Sequence, residues 1–305
     1  MPLKALDASA RHAAARCAAV VAAVALLLLR APALPARQDA GEAIARGDAA
    51  WERRAEGHTG AHAAAGPIGE AIAAYEQALK AQPERLETYW KLLRAEHYRG
   101  QFVAVTHEQK QAVFGPARTV AEAGLDRLAR KAGGRERLDA MAPPAVAKAL
   151  AGVAETAPLY LWAGIHWGLW GDNFGRLAAA RQGVGDRVRR YSEVVIAVDE
   201  RFEDAGGHRL LGRLHTLAPK VPFLTGWVDR DQAVTELRRA VALAPDYPLN
   251  AVFLADALLQ HQPAKAGEAR RLLHRVVERP PAPAVVVEDE DAIAQARALL
   301  AKYPG

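Results

Sequence analysis

Along this 305-residue chain, apolar residues return at the spacing of helix faces and not of strands. Ala71, Tyr75, Ala78 and Pro83 set a pattern with offsets of +4, +7 and +12 from its first residue. Ala233, Leu237, Ala240 and Pro245 repeat it, and Ala269, Leu273, Val276 and Pro281 repeat it again. Positions i, i+4 and i+7 share one helix face. Small residues at the first and third sites let a neighbouring helix approach closely, while the middle side chain fills the gap. The proline then stops the helix, because the residue before it is pushed out of the α region.

Such a pattern resembles the second helix of a tetratricopeptide (TPR) repeat. Tyr89-Trp90-Lys91-Leu92-Leu93 and Ala251-Val252-Phe253-Leu254-Ala255, after two of the prolines, resemble its first helix. Between the repeats the spacing predicts helices at Leu86–Gly100, at Ala104–Lys131 with a break near Gly115-Pro116, and from Ala145 to about Gly171. A further helix is expected from Asp172 through Arg190 to Asp204, interrupted near Gly183–Gly185. Residues 205–228 read as a long ordered loop holding a short helix at Leu210–Leu217. The Pro280–Glu290 segment reads as a linker or one extended piece, and Asp291–Tyr303 as a capping helix. No shift in composition marks a boundary, so residues 37–305 are expected to form one all-α domain, a TPR-like array with irregular central helices.

Composition agrees with that class. Alanine dominates and aromatics are only 6%, whereas strand-rich folds favour β-branched and aromatic residues. Residues 1–36 read as an export signal or N-terminal anchor. Lys4, Arg11 and Arg16 lead into the twelve apolar residues Ala18–Leu29, short of the roughly 20 that a spanning helix needs. Ala31-Pro32-Ala33 and Leu34-Pro35-Ala36 each offer a cleavage site, while Arg30 leaves an uncleaved anchor open. The single cysteine, Cys17, precedes the apolar stretch, so a lipoprotein acylation site is missing. It also excludes a disulfide framework within the chain. The expected location is periplasmic, with membrane contact only through an uncleaved N-terminus.

Charge narrows the function classes. The formal +5 owes three units to residues 1–36, and the rest is mixed in sign, so nucleic-acid binding has no electrostatic footprint. Ser9 and Ser192 are the only serines, and no metalloprotease, nucleophile-elbow or phosphate-loop motif occurs. No catalytic residue, metal site or cofactor is therefore expected.

Two stretches carry candidate recognition chemistry. In Ala157–Trp170, three of the six tryptophans sit beside Gly164, Gly168 and Gly171, which form a bare strip at i, i+4 and i+7. Trp162, His166, Trp167 and Trp170 read either as packed core or as an aromatic wall for an apolar ligand. In Val198–Gly212, Gly206-Gly207 reads as a helix end with a left-handed residue. Gly206, Gly207, His208 and Arg209, with Phe223 and Trp227 beyond them, read as a stiff recognition loop. Asp199, Glu200, Glu203 and Asp204, with Arg201 and Arg209 nearby, read as a solvated face with ion pairs. Arg187, Arg189 and Arg190 form a small basic cluster, either solvated or docking an acidic partner.

The blocks Leu159–Ala163 with Trp167–Trp170, Val198–Phe202 with Gly206–Gly212, Pro219–Trp227, and Ala244–Tyr247 occur in an order that resembles the T component of TRAP (tripartite ATP-independent periplasmic) transporters. Tyr89-Trp90 through Tyr98-Arg99-Gly100 extends the likeness, which spans roughly residues 40–303. The resemblance implies a periplasmic, TPR-like homo-oligomer. It would partner a TRAP-type substrate-binding protein and assist uptake of a small, hydrophobic organic ligand. The missing acylation site departs from the family's common pattern. A general periplasmic TPR scaffold for peptides or envelope-assembly proteins is the alternative.

Overall fold

The structure of the chain is a computed structural model that describes residues 33–222 and 225–304. The apolar stretch Ala18–Leu29 and the candidate Phe223 lie outside the described residues. Among the described residues the chain is all-α, with fourteen α-helices and no strand. No described helix is long and apolar enough to cross a membrane.

Three helices open the chain: α1 (Ala33–Glu52), α2 (Ala65–Ala81) and α3 (Leu86–Tyr98). A π-turn at Arg99–Val103 leads from α3 into α4 (His107–Arg130). The short α5 (Arg135–Asp139) and α6 (Pro143–Ala149) precede the central α7 (Thr156–Phe174), followed by α8 (Arg176–Arg181) and α9 (Val184–Val198). Next comes α10 (Phe202–Leu217), and the chain finishes with α11 (Arg230–Leu243), α12 (Pro248–His261), α13 (Ala266–Glu278) and α14 (Val286–Lys302). Sequential neighbours pack on one another through α1–α4 and α9–α14, and α7 adds contacts to α3, α4, α9 and α10.

All nine apolar positions of the repeated pattern are buried, and α2, α11 and α13 each stop two or three residues short of the expected proline. Elsewhere the boundaries move. The Gly115-Pro116 break does not occur, and α4 runs through Pro116. Pro116 and Ala112, whose carbonyl loses its partner, both face solvent, so water replaces the missing bond. The predicted helix from Ala145 is cut at Gly152, whose φ is +83°, and α7 extends past Gly171 to Phe174. The Asp172–Asp204 helix becomes α8 and α9, separated by left-handed Gly183. The Pro280–Glu290 segment is no extended piece, since α14 already begins at Val286.

The largest correction falls on the expected loop from residue 205. Gly206 and Gly207 open the regular part of α10, and the left-handed backbone belongs to the kink just before them, Glu203, Asp204 and Ala205, with φ of 49°, 54° and 61°. Close packing explains the glycines. A Cβ on Gly206 would lie 2.8 Å from Leu161, one on Gly207 2.9 Å from Ile196, and one on Gly212 2.5 Å from Leu237. The pair thus seats α10 against α7 and α9 where a terminator was expected.

The first and last described helices are also linked. Just beyond α1, Arg54 donates to the Glu288 carboxylate at 2.9 Å and to the Ala284 carbonyl at 2.7 Å. Its guanidinium lies 4.5 Å from the Trp51 ring. Val287, fully buried, packs in the same apolar cluster as Ala50, Ile68 and Tyr75.

Candidate functional site

Helix α7 is apolar on every side and buried along most of its length, as a helix surrounded by others must be. Its glycine strip only partly serves the predicted purpose. A Cβ on Gly164 would meet Leu210 at 2.8 Å and one on Gly171 would meet Val184 at 3.1 Å, but Gly168 faces open space. The strip therefore receives side chains of α10 and α9 and no second backbone.

The four aromatic candidates do not form one wall. Trp162 and His166, one turn apart, point toward α3. The Trp162 ring lies 5.4 Å from His97, and its buried indole N–H has no partner. His166 is fully buried, and its Nε2 meets the Leu93 carbonyl at 2.8 Å while Nδ1 has no partner. Burial lowers the His166 pKa to about 4, against the carbonyl's opposing pull. Burial likewise lowers His97 to about 3, helped by the positive potential of His166 and Arg209. Both imidazoles are neutral at pH 7.

Trp167 and Trp170 turn the other way. The Trp167 N–H donates to Glu122 at 2.6 Å, and Glu122 also accepts from the Tyr191 hydroxyl at 3.2 Å and pairs with Arg135 at 3.1 Å. Trp170 meets Trp167 edge-on and stacks on Phe174. This half of α7 is a paired network inside the core, the structural alternative raised for these residues.

In the second stretch, Arg209 holds the left-handed turn. It donates to the Asp204 and Glu203 carbonyls at 2.9 and 3.2 Å, and Asn250 reaches the Asp204 carbonyl at 3.0 Å. Three consecutive non-glycine residues in that region cost of order 1–3 kcal/mol each, so these bonds have strain to offset. The turn brings Glu203 to where burial raises its pKa despite the opposing pull of Arg94 and Arg209. His208 faces Glu236 at 2.6 Å and Glu200 at 3.5 Å, and Arg239 closes on Glu200 at 2.7 Å. Glu200 is ion-paired as expected of that acidic face, whereas Glu203 departs from it by being partly buried. Trp227 packs edge-on to His215 beneath Arg189. Among the described residues, no three His, Cys, Asp or Glu side chains gather as a metal site.

Several side chains from distant elements share one environment. His97 of α3, Glu203 of α10 and Tyr247 at the start of α12 keep accessible surface, yet burial is the largest influence on all three pKa values. Arg209 influences all three, which places them near one another. Arg94 lies 4.0 Å from the Trp51 ring and 5.1 Å from Trp90, and its Nε has no partner. Sequence reasoning missed Arg94 and His97. The available signal was helical spacing, since Trp90, Arg94 and His97 occupy i, i+4 and i+7 on α3.

The chain matches no protein-family model and no curated protein. Two surface cavities lie apart from the candidates. One, of about 350 Å³, is lined by Val153, Pro158, Val198 and Phe202. The other, of about 420 Å³, opens between Leu79, Tyr89, Leu92 and Val120. Trp162, His166, Trp167 and Trp170 line neither.

Proposed function

We propose that the chain is a periplasmic accessory component of a TRAP-type transporter, a TPR-like array that docks a substrate-binding protein and passes a small, hydrophobic organic ligand. The observation carrying this reading is convergence. Blocks that resemble the T component, far apart in sequence, pack on one another. His166 bonds to Leu93 of the first block, Gly206 seats on Leu161, and Arg209 stacks 4.6 Å from Tyr247. The unpartnered N–H of Trp162 and the neutral His97 and His166 supply polar contacts that carry no charge, which suits an uncharged or weakly polar ligand. Such a role runs on binding energy alone, without a covalent step.

A pull-down with residues 37–305 as bait, cross-linked to hold weak complexes, tests it. Recovery of a TRAP-type substrate-binding protein is expected. Recovery of envelope-assembly proteins instead would favour a peptide-binding scaffold, for which the apolar cavity beside Tyr89 is the structural argument.

A further inference from the structure

The end of the molecule where α7 runs into α8 combines exposed apolar and basic groups that the proposed ligand path leaves unused. Helix α8 is set between Gly175 and Gly183, both at positive φ, and none of its residues is buried. Leu177 on it is 66% exposed, and Phe174 just before it is 38% exposed. Behind them Trp167, Trp170 and Phe174 form a ladder whose ring centroids step by 5.9 and 5.0 Å. Arg118 lies 4.9 and 4.6 Å from the two indoles, and Arg187 lies 4.7 Å from Trp167.

These guanidinium groups are poorly neutralised. Among the described residues no carboxylate comes within ion-pair distance of Arg118, Arg176 or Arg181. Arg187 reaches Glu122 only at 3.9 Å, and Glu122 is already held by Trp167 and Arg135. Asp172 is the one carboxylate in residues 170–181, against two arginines. An arginine stacked on an indole has little freedom left to lose, and its planar fork is ready for a carboxylate. Aromatic side chains beside arginine also make up the strongest points of protein interfaces.

We infer that this face docks an acidic protein surface with an apolar recess for Leu177. The inference rests on the reading above, in which the partner is a TRAP-type substrate-binding protein. Charge selects the occupant. A second copy meeting this face with its own would set arginine against arginine. The chain's own residues 1–32 bring Lys4, Arg11, Arg16 and Arg30 against Asp7 alone. A membrane is disfavoured because binding to it scales with buried apolar area, and only two large apolar side chains are offered here.

The test measures binding of the full chain to a purified TRAP-type substrate-binding protein from the same organism. Leu177→Asp, and Arg176→Glu combined with Arg181→Glu, should each weaken binding by about tenfold or more. Raised ionic strength should weaken the wild type more than the charge-reversed variant. Leu217→Asp, at an exposed leucine of α10, should bind as the wild type does. The α8 changes touch no buried residue, so unchanged helicity is the folding control. If the wild type binds and the α8 variants bind equally well, the docking face is overturned while the transport reading survives. If the wild type does not bind, the transport reading falls and the docking face with it. Self-association abolished by Leu177→Asp would assign the face to a second copy. Binding to vesicles of anionic phospholipid, lost on charge reversal, would assign it to a membrane. Either result overturns the proposal.

Discussion

The two halves of α7 carry the same residue types and use them in opposite ways. Toward α3, Trp162 and His166 are buried with an N–H and a ring nitrogen left unpaired. Toward α4 and α9, Trp167 is locked to Glu122 inside a network that also holds Tyr191 and Arg135. A buried polar atom without a partner costs about 1–3 kcal/mol. Such atoms persist where something else compensates, and a ligand's polar groups are one such compensation. The lesson is that an indole's role lies with its nitrogen's partner, not with its place in an aromatic run.

Substitutions can break this contrast. The largest effect is expected from Trp167→Ala, which empties a core site and strands Glu122; about 3–5 kcal/mol of stability should be lost in denaturant unfolding. Trp167→Phe keeps the ring but removes a hydrogen bond to a charged group and should cost about 1.5–3 kcal/mol. Trp162→Phe leaves a similar gap but removes a nitrogen that has no partner, so its cost should be smaller than that of Trp167→Phe by about 1 kcal/mol or more. Equal losses for the two phenylalanine variants would erase the distinction between the halves.

Acid offers a subtler probe. His166 has a lowered pKa in the folded chain, so between pH 6.5 and about 4 the unfolded chain holds a proton that the native one does not. Stability is therefore expected to fall as pH drops through that window. The histidine's share is a slope of about 1.4 kcal/mol per pH unit. His166→Gln should remove that share, read as the difference between the two stability-versus-pH curves. His97 acts with the same sign, while the raised pKa of Glu203 acts against it. The smallest effect is expected at the strained turn, where Asp204→Gly should raise stability by about 1 kcal/mol or less. A loss there would mean that the Asp204 side chain, and not its carbonyl, holds the turn.

How much of this was legible depends on how local the cause is. The buried faces of α2, α11 and α13 follow from spacing alone, because a helix face is a property of neighbours in sequence. Gly206-Gly207 was misread because glycine serves both as a left-handed terminator and as a gap for close packing, and only the arrival of Leu161 and Ile196 decides between them. Pro116 failed to break its helix for a comparable reason, since the carbonyl it orphans happens to face water. Trp167 and Glu122 are 45 positions apart, so the bond that settles the tryptophan's role has no sequence signature. Arg94 and His97 share a helical spacing with Trp90, but spacing marks a common face without saying what packs against it.

The bridge from Arg54 to Ala284 and Glu288 changes how such a chain can fold. An open repeat array can nucleate anywhere and fray from either end, because each unit touches only its neighbours. Here the cluster around Tyr75 is incomplete until Val287 arrives. Among the described residues the α1–α2 hairpin is thus completed only when α14 docks on it. Unfolding should then be a single cooperative event across the whole array, with the slow search for contact between distant ends setting the folding rate.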